Sequence, residues 1–185
     1  MDPNALPDNP YLLLTPGPLS TTKRVRSALF LDWCTWDDDY NRIVQHIRAC
    51  LVGLASEQPG YTAVLMQGSG SFGVESVIGS VLPRGGKLLV LANGAYGQRM
   101  ATMTRMLGIE LVLEDFGELH APDPDRVAAI LQGDPDISHV AMVHCETTTG
   151  MLNPVAAVGT VVAAAGRTFI VDAMSSFGGI PLTME

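Results

Sequence analysis

Lys87-Leu88-Leu89-Val90-Leu91 runs straight into Ala92-Asn93-Gly94-Ala95-Tyr96-Gly97, and this join sets the terms of the fold. A short, nearly continuous run of branched apolar residues suits a strand covered on both faces. The small residues and glycines that follow open a helix-like segment over residues 96–107. Outward from this unit the pattern repeats, with strands expected at residues 63–66, 110–113, 140–144 and 169–171 beside 87–91. Further helices are expected at 38–54, 71–81, 124–132 and 155–165, each opened by Ser, Asp or Pro or closed by Gly or Pro. Strand and helix in alternation imply an α/β layer structure with a mostly parallel sheet and helices on both faces. Residues 1–60 read differently, as a Pro-rich lead, a turn at Thr15-Pro16-Gly17-Pro18 and helices. Two parts are therefore expected, an N-terminal segment over 1–60 and an α/β domain over 61–185.

Composition narrows the class. The chain has 185 residues, 47% hydrophobic and 16% charged, which excludes a disordered protein. A chain of this size buries about 70% of the surface its unfolded form exposes. Eleven Lys and Arg stand against 19 Asp and Glu, a net charge of −8 that repels phosphate backbones and anionic membranes. Nucleic acid and membrane are not expected partners. Cys34, Cys50 and Cys145 have no CxxC spacing and read as reduced core thiols of a cytoplasmic protein. The acidic, Pro-rich opening lacks the pattern of a signal peptide, and uncharged stretches such as 155–166 fall far short of the roughly 20 residues of a membrane helix.

Chemistry is expected where strands end, the edge at which open α/β sheets bind ligands. Gly68-Ser69-Gly70-Ser71 lies between an expected strand and helix. Glycines admit a ligand close to the backbone, hydroxyls donate hydrogen bonds, and free helix-start amides favour an anion. A plain Gly-rich turn competes with this reading. Gly68, Gly70 and Gly73 also satisfy G-x-G-x-x-G, but a dinucleotide site needs an acidic residue about 20 positions on. After Glu75 none appears until Glu110, so a compact phosphate is favoured.

Three other groups face the same edge. Asp172, after Phe169-Ile170-Val171, can pair with a protonated ring nitrogen, or simply cap the turn at Ser175-Ser176. Tyr96 can lie flat on a planar ring, or pack in the core. The hydroxyls of Thr147, Thr148 and Thr149 can bond a ligand oxygen, or stabilise a turn. Asp37, Asp38 and Asp39 lack the Gly and later Glu of a calcium loop and read as the acidic first turn of a helix. His144-Cys145-Glu146 has no P-C-x-x-C beside it, so no metal is expected. Arg99 and Arg105 read as solvated.

Taken together, these blocks resemble the class V, fold type I, pyridoxal-phosphate aminotransferases. The resemblance runs from Tyr11-Leu12-Leu13-Leu14-Thr15-Pro16-Gly17-Pro18 through Gln67-Gly68-Ser69-Gly70-Ser71 and Asn93-Gly94-Ala95-Tyr96-Gly97 to Asp172-Ala173-Met174-Ser175-Ser176. The blocks Cys34-Thr35-Trp36-Asp37-Asp38-Asp39-Tyr40-Asn41 and His144-Cys145-Glu146-Thr147-Thr148-Thr149-Gly150-Met151-Leu152-Asn153-Pro154 point to the branch that moves the amino group of 2-aminoethylphosphonate to pyruvate. That reaction gives phosphonoacetaldehyde and alanine in phosphonate catabolism; an alanine or serine:glyoxylate type enzyme is the near alternative, and a non-catalytic phosphate or nucleotide-binding module the distant one.

The resemblance implies pyridoxal 5′-phosphate as cofactor. Ser69, Gly70 and Ser71 would hold its phosphate, Tyr96 stack on its ring, Thr147 bond the region of the ring hydroxyl and Asp172 pair with the ring nitrogen. Gly17 would line the substrate entrance. It implies a homodimer, and it places the Schiff-base lysine and the smaller C-terminal domain beyond Glu185. Lys23 and Lys87, the two lysines present, lie away from the expected ligand edge, so this chain alone is expected not to turn over.

Overall fold

The computed structural model describes residues 2–15 and 17–184, which fall into two units, residues 1–65 with 178–185 and residues 66–177. In the first unit a 3-10 turn at Pro3–Ala5 precedes α1 (Lys23–Ser27), a second 3-10 turn at Ala28–Phe30 and α2 (Asp38–Ala55). Around the expected Thr-Pro-Gly-Pro turn, whose Pro16 lies outside the described residues, Leu14 bridges Leu19 and Thr15 Oγ1 donates to the Pro18 carbonyl at 2.6 Å. Asp38 and Asp39 sit in the first turn of α2, where negative charge opposes the positive end of the helix dipole. Lys23 pairs with Asp8 at 2.8 Å, which holds that carboxyl below its usual range.

The second unit is the α/β layer. It contains α3 (Gly70–Val81), β1 (Lys87–Ala92), α4 (Ala95–Met106), β2 (Glu110–Asp115), α5 (Pro124–Gly133), β3 (Ile137–Val143), a hairpin of β4 (Cys145–Glu146) and β5 (Met151–Leu152), α6 (Val155–Ala164) and β6 (Thr168–Asp172). Four strands form one parallel sheet in the order β2-β1-β3-β6. From β1 the chain steps one way to β2, then back past β1 to β3. Right-handed crossovers in opposite directions place their helices on opposite faces. Accordingly Leu88 and Val90 pack with Ile78 and Met100 of α3 and α4, whereas Leu89 and Leu91 pack with Val127 and Val158 of α5 and α6. Successive residues of β1 thus bury on alternate faces, and all four are at most 1% exposed.

The two-sided burial expected of 87–91 is met most fully by β1 and β3, the central pair; β2 and β6, at the sheet's edges, are partly covered. Two expectations fail. Residues 63–66 form no strand and pair with none among the described residues, and Val64 is 75% exposed. An apolar run marks a segment that can join a sheet, but pairing needs a neighbour with free backbone groups. The reading of core thiols also fails, since Cys34 and Cys50 are exposed and Cys145 half-buried.

Candidate functional site

The strand order reverses between β1 and β3, the point where the loops after two neighbouring strands diverge and open α/β sheets bind ligands. Tyr96 follows β1, Thr147 follows β3 and Asp172 ends β6, so these three residues come from three adjacent strands. Asp172 lies opposite Val143 in the register, and its carbonyl accepts from the His144 amide at 2.9 Å. Its Oδ1 accepts from the Met174 amide at 3.0 Å, and Oδ2 has no partner among the described residues. Half of that carboxylate is therefore available to a cationic ring nitrogen.

The anion candidate sits at the start of α3. Ser69 is the N-cap, its Oγ accepting from the Phe72 amide at 3.2 Å and its carbonyl from the Gly73 amide at 3.1 Å. The Gly70 and Ser71 amides, one turn too early to have helical acceptors, have none among the described residues. A Cβ at Gly70 would stand 3.1 Å from Met174 Cγ, so glycine permits the Asp172–Met174 turn to lie against this helix start. That contact brings the phosphate and ring-nitrogen candidates to one place. Free amides, a half-free carboxylate and an aromatic ring 38% exposed suit a phosphorylated pyridine.

Arg99, read from sequence as solvated, is exposed but engaged. Its Nη1 donates to Ser71 Oγ at 3.2 Å, and its guanidinium lies 5.0 Å from the centre of the Tyr96 ring. Gly17 belongs to the other unit and takes part in none of these contacts. Thr147 is half-buried beside Glu146.

Glu146, weighed from sequence only as part of a metal motif, has a role that sequence reasoning missed. Its side chain is 0% exposed, and Oε2 accepts from the Tyr96 and Gly97 amides at 3.1 and 3.2 Å. Oε1 accepts from the Thr148 hydroxyl at 2.6 Å, while Thr148 Oγ1 accepts from the Ala95 amide at 3.1 Å. These bonds satisfy the first amides of α4. Gly94 is glycine for a steric reason: a Cβ there would overlap Glu146 and stand 2.8 Å from Thr148 Oγ1. The signal was present as a glycine before a helix and a distant Glu, but nothing local joins them.

Two polar links hold the loops. Asn93 and Asn153 exchange side-chain bonds at 2.8 and 3.0 Å, and Asn153 also donates to the Val143 carbonyl at 2.8 Å. Ser176 Oγ is hydrogen-bonded with His144 Nδ1 at 2.9 Å, and burial holds that imidazole below its usual value. Lys87 starts β1, at the opposite end of the strand from Tyr96. It is paired with Glu110 at 2.8 Å and Asp134 at 2.9 Å, which push its amine well above the usual lysine range. Among the described residues, no three His, Cys, Asp or Glu gather around a possible metal. No described helix is long and apolar enough to cross a membrane.

Fold and site together define a fold type I aminotransferase large domain. The class-V aminotransferase family model matches residues 36–185, and the chain belongs to that family. It is 60% identical over 98% of its length to a 2-aminoethylphosphonate–pyruvate transaminase of Syntrophobacter fumaroxidans, of which it covers 49%. A protein of the same description from Salmonella dublin is 57% identical over 93% of the chain and is covered to 47%. Among solved structures, pyridoxamine-pyruvate aminotransferase from Mesorhizobium loti superposes with a TM-score of 0.83 at 27% identity, covering 94% of this chain and 44% of that one. The chain thus spans about half the length of the curated relatives it matches. Pyridoxal 5′-phosphate is the cofactor this family implies, and the residues at the strand ends fit it.

Proposed function

We propose that the chain is part of an aminotransferase that moves the amino group of 2-aminoethylphosphonate to pyruvate, giving phosphonoacetaldehyde and alanine. The observation that carries the reading is the union of free Gly70 and Ser71 amides with the half-free Asp172 carboxylate through the Met174 contact. Residues 1–60 form the lead segment in this reading, and 61–185 part of the cofactor domain. The Ser69, Gly70 and Ser71 region binds the cofactor phosphate, where helix-start amides face a dianion. Tyr96 covers one face of the ring and orients it, and Thr147 bonds the ring hydroxyl. Asp172 holds a proton on the ring nitrogen, because an ionised carboxylate stabilises the pyridinium form. The bound cofactor supplies an electron sink for the carbon that carries the amino group. Gly17 lines the approach for the substrate.

Neither lysine of this chain is suited to link the cofactor. Lys87 lies at the far end of β1 and its two ion pairs hold its amine protonated and non-nucleophilic, while Lys23 belongs to the other unit, where it pairs with Asp8. Turnover therefore needs a lysine from outside residues 1–185. Three cysteines without CxxC spacing support a cytoplasmic setting, and the family's habit of building active sites between subunits supports a homodimer.

The test has two parts. The 185-residue chain, given pyridoxal 5′-phosphate, 2-aminoethylphosphonate and pyruvate, is expected to form no alanine. The longest protein encoded by the continued reading frame is expected to form it, and faster from 2-aminoethylphosphonate than from serine with glyoxylate. A preference for serine and glyoxylate would favour the near alternative, and cofactor binding unaffected by Asp172→Ala would defeat the site.

A further inference from the structure

We infer that Glu146 is a positioning residue for the cofactor ring: its buried carboxylate fixes the backbone from which Tyr96 projects. The inference rests on the reading that Tyr96 covers that ring. A charged side chain at 0% exposure is costly unless every lone pair is used. Here Oε2 takes the Tyr96 and Gly97 amides and Oε1 the Thr148 hydroxyl, which in turn takes the Ala95 amide. The carboxylate thus points at the start of α4. The first three amides of that helix are held, directly or through Thr148, by a residue that ends β4 in the short hairpin after β3.

The arrangement couples two candidate ligand contacts. Thr147 follows Glu146 in sequence, and Tyr96 is bonded to it through the main chain, so one carboxylate sets the ring-face contact relative to the ring-hydroxyl contact. Tyr96 in turn lies under the Arg99 guanidinium, which reaches Ser71 in the phosphate region. An ordinary N-cap serine or aspartate at position 94 would have satisfied α4 locally. Glycine stands there because Glu146 and Thr148 occupy the space a side chain would need. The helix start is tied to the β4–β5 hairpin instead, so the angle of Tyr96 depends on a segment distant in sequence.

Replacements separate positioning from simple support of the fold. In Glu146→Gln the amide oxygen can still accept from Tyr96 and Gly97, with the NH2 group turned to Thr148 Oγ1. In Glu146→Ala nothing accepts. Pyridoxal 5′-phosphate is titrated into the chain, or into the longer protein of the continued frame, following affinity and the circular dichroism induced in the cofactor band, a signal set by ring orientation. Glu146→Ala is expected to lose about tenfold in affinity, the scale of one charge-assisted hydrogen bond, and most of the induced band. Glu146→Gln is expected to keep the band and stay within about threefold. A folded Glu146→Ala protein with wild-type band and affinity overturns the inference. Should Glu146→Ala not fold, Thr148→Val decides: a weakened band at unchanged melting temperature supports the inference, and an unaltered band overturns it. Tyr96→Ala is the control for the underlying reading. If it leaves wild-type binding untouched, the ring contact itself is wrong; if it weakens binding while Glu146→Ala does not, only the role of Glu146 fails.

Discussion

The two units draw on similarly apolar sequence and use it in opposite ways. In residues 66–177 the whole of the buried hydrophobic set is found, from Ile78 to Val162. In the first unit, among described residues, only Ser56 is buried, although the unit contains Tyr11, Leu12, Leu14, Leu29, Phe30, Trp33 and Trp36. Even α2, an 18-residue helix, buries none of its residues, and Ile43 and Ile47 on it remain 38% and 40% exposed. Apolar content therefore does not make a core. Burial requires a second layer, and the parallel sheet with helices on each face supplies two.

This contrast predicts a graded series. Leu89→Ala, in the central strand, removes a side chain at 0% exposure and is expected to cost about 2–5 kcal/mol in urea unfolding. A loss as small as that of a surface change would erase the contrast. Gly94→Ala forces a methyl into Glu146 and Thr148 and is expected to cost about 1–3 kcal/mol, with little change in the denaturant slope.

Two histidines give the second unit a pH response below neutrality. His139 and His144 are buried and held below the usual imidazole value of 6.5, so the unfolded chain binds protons that the folded one refuses. That stability is complete above pH 6.5 and is lost as pH falls through the lower folded values. Melting temperature should drop over that window, and less so in a His139→Gln, His144→Gln protein; an equal drop in both would assign the titration elsewhere. Smallest of all, Leu29→Ser in the first unit, at a residue 80% exposed, is expected to stay within about 0.5 kcal/mol of the parent.

Sequence reading succeeded where the governing interactions are local. Helix 38–54 is Asp38–Ala55 in the structure, 71–81 is Gly70–Val81 and 155–165 is Val155–Ala164, because what opens each lies at its own start: the acidic Asp37 to Asp39, the Ser69 cap and Pro154. Strands 87–91 and 169–171 extend by one or two residues to Lys87–Ala92 and Thr168–Asp172. It failed where a partner decides. Residues 63–66 have a strand's composition without a strand's neighbour, and the two-residue strands β4 and β5 are too short to show a period. The same limit hid Glu146, whose acceptor role depends on amides about 50 positions away, and Arg99, which reaches back to Ser71. That Ser69 opens a helix and that Asp172 closes a strand was legible because each needs only its own junction to explain it.

The Asn93–Asn153 exchange has a further consequence. Two primary amides, each giving and taking one bond, make a clasp that closes in a single orientation, and it joins the loop after β1 to the segment after β5. The backbone that leads to Tyr96 is thus held to the segment that leads to α6. If a cofactor binds beside Tyr96 as proposed, little of its affinity is consumed in ordering these two segments.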